Sequence, residues 1–323
     1  MADGAGINRR KLRQAGCVIL MMHKINDLVD PLPLTLSPER FARMIEEIQR
    51  TNQIVPLEQA TAASANGGGL KFVMTFDDGY RDNYEQALPI MERYRVPATV
   101  YISVDHVEGR RSFWYETLIS AISGTAEQRL DLSALDLGSF DLEDQAAKVH
   151  AITELNQALK RYDTATREHL VKQVAERLGR ADQTSGSSML TWDMVREMAD
   201  KDVSIGSHTM SHPILSRESR ERVRLELRDS KTRLETVLQK AVDAFAYPNG
   251  RSEDFNDMVV EEAKEAGYSS AVTTMPGINT AATDCFMLKR IEVHNRMCSD
   301  ARGRFSPALF WANVFGMFRG YWR

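Results

Sequence analysis

The chain has 323 residues, 43% of them hydrophobic and 27% charged, with a formal net charge of -4. These values exclude a disordered or collagenous chain and a globally basic field for nucleic acid. At about 150 residues per domain, the length suits two domains or one large barrel. Three cysteines, Cys17, Cys285 and Cys298, include no Cys-x-x-Cys pair and leave one over, which argues against a disulfide framework and suits a reducing compartment. No stretch reaches the roughly 20 apolar residues of a spanning helix. Arg9, Arg10, Lys11 and Arg13 precede an apolar run that covers only Cys17 to Met22, short for a secretion signal, so a cytoplasmic protein is expected.

In chain order, the run from Cys17 to His23 reads as a buried strand. The segment from Ser37 to Arg50 reads as a helix with Phe41, Met44, Ile45 and Ile48 on one face, opened by a Ser-Pro start. A strand over 70–76, a helix over 83–94 and a strand over 98–104 follow. This alternation predicts βα units around a parallel sheet or barrel. Between about 105 and 190 the rhythm breaks into helical patches at 114–122, 145–160 and 166–178 with no clear strand, which predicts a helical insertion. The alternation then resumes: helix 192–199, strand 202–207, helix 219–239, strand 244–247, helix 254–266, and strands 269–273 and 286–293. The total is seven strands.

Two motifs carry chemistry. In Thr75-Phe76-Asp77-Asp78-Gly79, two carboxylates end an apolar strand and a glycine lets the chain turn. Asp-Asp-Gly is also ordinary turn chemistry, but strand ends of parallel α/β folds are where ligands bind. In Ser207-His208-Thr209-Met210-Ser211-His212, two of the seven histidines stand four apart, which places them on one face of a helical turn. Together the motifs supply Asp, His and His, a donor set suited to a catalytic divalent metal with an open position. Zinc is the first choice, and Co, Ni, Fe or Mn fit the same donors.

Thr-Phe-Asp-Asp-Gly followed by Ser-His-x-x-x-His resembles the polysaccharide deacetylase family, also called the NodB homology domain or carbohydrate esterase family 4. The likeness runs from about Val18 to Val293, interrupted by the insertion, and includes Met22-His23 at the first strand end. It implies an α/β fold, a distorted (β/α)7 barrel formed by 16–104 and 190–295, with the helical insertion at 105–189 and an aromatic and basic segment at 296–323. It also implies metal-dependent removal of N- or O-acetyl groups, N-acetyl first, from a poly- or oligosaccharide. Carried over, Asp77 is the general base, and Asp78, His208 and His212 are the metal ligands. A water activated at the metal is the nucleophile.

The segment Phe245-Ala246-Tyr247-Pro248-Asn249-Gly250 resembles the family's groove motif but lacks the arginine that orients the base there. The Tyr247 backbone N–H is the expected oxyanion donor, and Pro248 and Asn249 are expected groove residues. His294, after the last strand, is the expected general acid, with His23 as a groove residue and alternative acid. His106, His150 and His169 are assigned to solvent or local structure.

Two other readings stand beside deacetylation. One is a catalytically silent glycan-binding protein that lost turnover with the arginine, and the other a cyclic amide or ureide amidohydrolase. The tail over 305–322, with Trp311 and Trp322 among its aromatics and arginines at its ends, reads as a helix packed on the barrel or on a second copy, or as a peripheral membrane contact. An acetylated saccharide is the expected partner, with no nucleic acid.

Overall fold

The computed structural model describes residues 16–59, 69–180 and 189–317. The strands are β1 (Gly16–Met22), β2 (Lys24–Ile25), β3 (Thr35–Leu36), β4 (Gln53–Ile54), β5 (Leu70–Phe76), β6 (Ala98–Ile102), β7 (Arg129–Asp131), β8 (Ser139–Asp141), β9 (Val203–Ser207), β10 (Ala244–Ala246), β11 (Ser270–Val272) and β12 (Arg290–Glu292). The main sheet runs β11-β10-β9-β6-β5-β1-β12, with β4 also on β5, and each of its pairings is parallel. A parallel bridge between Val272 and Leu288 brings its two ends together. The result is the distorted, nearly closed α/β barrel that the sequence predicts, and the seven strands on this path are the seven expected ones.

Parallel strands covered on both faces read as continuous apolar runs, and β1 is buried along its whole length. Its alternate residues separate into two cores. Val18, Leu20 and Met22 pack with Phe72, Met74 and the surrounding helices, whereas Cys17 and Ile19 pack inside the barrel with Val73, Tyr101, Ala246 and Val272. The helix Pro38–Gln49 forms as expected: the Ser37 hydroxyl accepts from the Arg40 N–H, Pro38 occupies the first turn, and Phe41, Met44, Ile45 and Ile48 are buried.

The insertion contains helices Trp114–Gly124, Gln145–Leu159 and Thr164–Arg177 around an apolar core of their own, which Leu32 and Tyr80 of the barrel join. It also contains a feature the sequence reading omits, the antiparallel hairpin β7–β8. Each of its strands has three residues and a single apolar one, too little for a periodic signal. After the barrel, the helix Pro307–Val314 lies on its outside, with the Trp311 ring edge-on to Phe72 and the indole N–H donating to Glu47 at 2.9 Å. Phe318, Arg319, Tyr321, Trp322 and Arg323 of the aromatic and basic tail lie outside the described residues. Among those described, no helix is long and apolar enough to cross a membrane.

Candidate metal centre

Strand β5 delivers Asp77 and Asp78 to one end of the barrel, and the chain turns there through left-handed backbone at Asp78 (φ 75°) and Gly79 (φ 85°). The adjacent carboxylates consequently meet different partners. Asp77 receives Arg290 of β12 in a bidentate pair, Nη1 to Oδ1 at 2.6 Å and Nη2 to Oδ2 at 2.7 Å. Arg290 is itself fixed by donating from Nε to the Thr273 carbonyl at 2.8 Å. Burial alone would push the Asp77 carboxyl up. The Arg290 charge, then His208, then the Arg290 hydrogen bonds outweigh it and hold Asp77 at about 2.

Asp78 faces the histidines. Its Oδ1 is 3.5 Å from His208 Nε2 and 3.5 Å from His212 Nε2, and this buried oxygen has no hydrogen-bond partner. His208 Nδ1 lies 2.8 Å from the Ala246 carbonyl, so the proton sits on Nδ1 and the Nε2 lone pair faces the carboxylate. Burial lowers the pKa of both imidazoles, keeping them neutral ligands at pH 7. Burial, and next the Asp77 charge, push Asp78 up to about 7. An orphaned carboxylate oxygen facing the Nε2 atoms of two buried imidazoles is costly unless a cation joins them. The donor atoms, all within 4.8 Å of one another, therefore fit a divalent metal ion.

The histidines do not share a helical turn. Residues 208–214 form an irregular turn with left-handed backbone at Thr209 (φ 68°) and His212 (φ 56°). The buried Glu226 carboxylate holds that turn, accepting from the N–H groups of Met210 and Ser211 and from the Ser211 hydroxyl. The Thr209 hydroxyl accepts from the His212 N–H at 3.0 Å. Gly206 is required one step earlier, since a Cβ there would stand 2.4 Å from the Tyr101 ring.

Two contributors escape the sequence reading. The arginine missing from the Tyr247-Pro248 segment has a counterpart in Arg290, which reaches Asp77 from another strand. Tyr115, from the insertion, donates to Asp78 Oδ2 at 2.9 Å and shares a 2.7 Å hydrogen bond with the Tyr80 hydroxyl. Arg290 is one of three charged residues in the expected strand over 286–293 and its neighbours do not single it out; for Tyr115 the available signal is the aromatic triplet Phe113-Trp114-Tyr115.

The metal cluster lies in a cavity of about 550 Å³ walled by barrel and insertion. His23 and Asn249 line it with Asp77, Asp78, His208 and His212. The expected role of Tyr247 is overturned: its N–H donates to the Val272 carbonyl at 3.2 Å, its hydroxyl to the Phe286 carbonyl, and its ring stacks on Phe255. The cavity instead offers Asn249, held at φ 58°, whose buried Nδ2 has no partner. Pro248 and His294 are not among the described residues that line the cavity. His294 is buried at the start of a short helix, Asn295–Cys298, and burial, then Arg296, lower its pKa to about 4. Burial also lowers His23 to about 4, against the nearby Asp77 charge. Of the two assignments offered for His106, local structure holds and solvent does not: it is buried, 2.8 Å through Nδ1 from the Ser103 hydroxyl, stacked on Phe113 at 3.7 Å, and 6.4 Å in ring centroids from His212.

The model of the family described as polysaccharide deacetylase matches residues 65–123 and 139–271. The chain is 22% identical over 240 residues to the Bacillus subtilis protein YxkH, named as a polysaccharide deacetylase; the match takes in 73% of this chain and 56% of that protein's length. Among solved structures, it resembles the Streptococcus pyogenes deacetylase PplD in complex with acetate (21% identity, 93% of this chain and 98% of that one, TM-score 0.61). It also resembles BC0361, a polysaccharide deacetylase from Bacillus cereus (19% identity, 93% and 69%, TM-score 0.57). At these identities the structural likeness speaks to the fold.

Proposed function

The chain belongs to the polysaccharide deacetylase family, and from that premise we propose that it is a metal-dependent hydrolase that releases acetate from an acetylated saccharide, from nitrogen in preference to oxygen. The observation that carries this reading is the pairing of an Asp78–His208–His212 cluster with a second, separately compensated carboxylate on Asp77. Asp78, His208 and His212 would hold the cation, and one carboxylate with two imidazoles suits zinc first. When bound, such a cation supplies Lewis-acid charge for a carbonyl oxygen and lowers the pKa of water from about 15.7 to about 7.

The residues of the chain do the rest. Asp77, ionised throughout the working pH range, accepts the proton of the water that attacks the acetyl carbonyl carbon. Arg290 keeps that carboxylate charged and aimed. The free Asn249 amide donates to the carbonyl oxygen as its charge develops, the part first expected of Tyr247. As the C–N bond breaks, the amine takes a proton and acetate leaves. His23, a neutral imidazole that lines the cavity and senses the Asp77 charge, relays to that nitrogen the proton Asp77 took from the water, in place of His294, and leaves Asp77 ionised again. Retention of a buried arginine on the base weighs against a silent binding protein.

The test is acetate release from acetylated chito-oligosaccharides by chelator-stripped protein and by the same protein resupplied with Zn²⁺ or Co²⁺. Release that returns with metal is expected. Release that is indifferent to stripping would overturn the reading.

A further inference from the structure

The helix Gln145–Leu159 turns one stripe toward the cavity: Thr153, Asn156, Gln157 and, at its end, Lys160 all line it. The spacing of three, one and three residues is that of a single helix face. The first three are uncharged hydrogen-bonding groups of the kind that meet sugar hydroxyls, and the Asn156 Oδ1 is buried without a partner. Lys160 is of a different kind. Two further cations, Arg251 after β10 and Arg296 after β12, line the same cavity from the barrel.

Among the described residues, none of these three side chains makes an ion pair within 4.0 Å, although Asp77 and Asp78 line the cavity with them. Asp77 is already matched by Arg290, and Asp78 faces the two histidines. Glu292 is the remaining acidic side chain among the described lining residues, one carboxylate against three cations. Lys160 gains little from its surroundings. Burial, then the Arg251 charge, lowers its pKa, with Asp254 and Glu292 pulling the other way and Arg167 adding to the repulsion. Three cations on the wall of one cavity, with the Glu292 and Asp254 carboxylates nearby but outside ion-pair distance, form a site for an anion.

We propose that Lys160, Arg251 and Arg296 bind an anionic group, a phosphate ester or a carboxylate, carried by the saccharide beside its acetylated sugar. The inference rests on the deacetylase reading for its orientation: the acetyl group sits at Asp77 and Asp78, and the polar stripe leads from there to the cations. The enzyme then selects acidic glycans over neutral ones of the same length.

The test compares three matched N-acetylated oligosaccharides, one neutral, one bearing a terminal phosphate and one bearing a carboxylate. For each, KM for acetate release and Kd by calorimetry are measured with the zinc-loaded protein. At least one anionic member is expected to show KM and Kd about tenfold lower than the neutral member, with the advantage shrinking as salt is raised. The better anionic member identifies the group. Lys160→Gln, Arg251→Gln and Arg296→Gln should each narrow the advantage, Lys160→Gln to within about threefold, while Lys160→Arg retains it. Equal KM and Kd for neutral and anionic members, or variants that weaken all three alike, would overturn the subsite. Tight, salt-sensitive anionic binding without acetate release would keep the subsite and remove the deacetylase reading. Release without preference would do the reverse.

Discussion

Replacing Arg290 by methionine tests the compensation of the Asp77 carboxylate directly. Asp77 is 2% exposed and Arg290 0%, and two charge-assisted hydrogen bonds join them. Methionine is of similar length and leaves the Asp77 charge buried and unmatched. Removing one partner of a buried pair costs about 3–5 kcal/mol, a large part of the roughly 5–15 kcal/mol that hold a protein folded. The substitution also frees the Thr273 carbonyl, so the single variant does not isolate the pair. A double-mutant cycle with Asp77→Asn does. Urea unfolding of the wild type, both single variants and the double variant should give a coupling of about 2 kcal/mol or more, because Arg290→Met does less harm once the charge is gone. With burial unopposed, the Asp77 carboxyl also rises, and the acid limb of kcat/KM moves toward neutral pH. An Arg290→Met cost below about 1 kcal/mol, or one undiminished in the Asp77→Asn background, would refute the argument.

Tyr115→Phe removes the donor to Asp78 Oδ2 and should weaken zinc binding by about 10- to 100-fold in chelator competition; an unchanged affinity would remove Tyr115 from the metal site. His208→Ala and His212→Ala should each lose metal by elemental analysis, and full occupancy in both would sink the ligand set. Asp77→Asn should keep its metal and lose turnover, since an amide takes no proton; wild-type rates in that variant would remove the base. His294 is held near 4 when folded but titrates at about 6.5 when unfolded, so the unfolded chain takes the proton first and stability is lost as pH falls below about 6.5. His294→Gln should flatten the fall in stability between pH 6 and 4.5 by nearly one proton, and an unchanged slope would contradict the burial argument.

Much of this architecture is legible in the chain because parallel barrel strands are short, apolar and regularly spaced. Asp77, Asp78, His208 and His212 stand out because they follow such strands directly. What escapes is set by contacts distant in sequence. Arg290 meets Asp77 across 213 positions, through the pairing of β12 with β1 and of β1 with β5. Tyr247 fails as a donor because its N–H belongs to the β11 ladder, a fact of register that its neighbours in sequence do not carry. The histidine turn looks helical by spacing alone. Glu226, on the helix Arg220–Leu238, holds it in another shape.

The insertion reaches into the metal centre through the Tyr115 phenol, and the Phe113 ring stands edge-on to His212 at 5.3 Å. Tyr115 belongs to the insertion's core with Tyr80 and Leu32 of the barrel, and its hydroxyl ends on a metal ligand. The same insertion carries the polar stripe that faces the cavity. Excising it, or grafting another in its place, would therefore alter in a single step how firmly a cation is held and what the cavity admits. For protein engineering the insertion and the barrel form one inheritable unit, and a specificity transplant into this scaffold must bring a tyrosine with it.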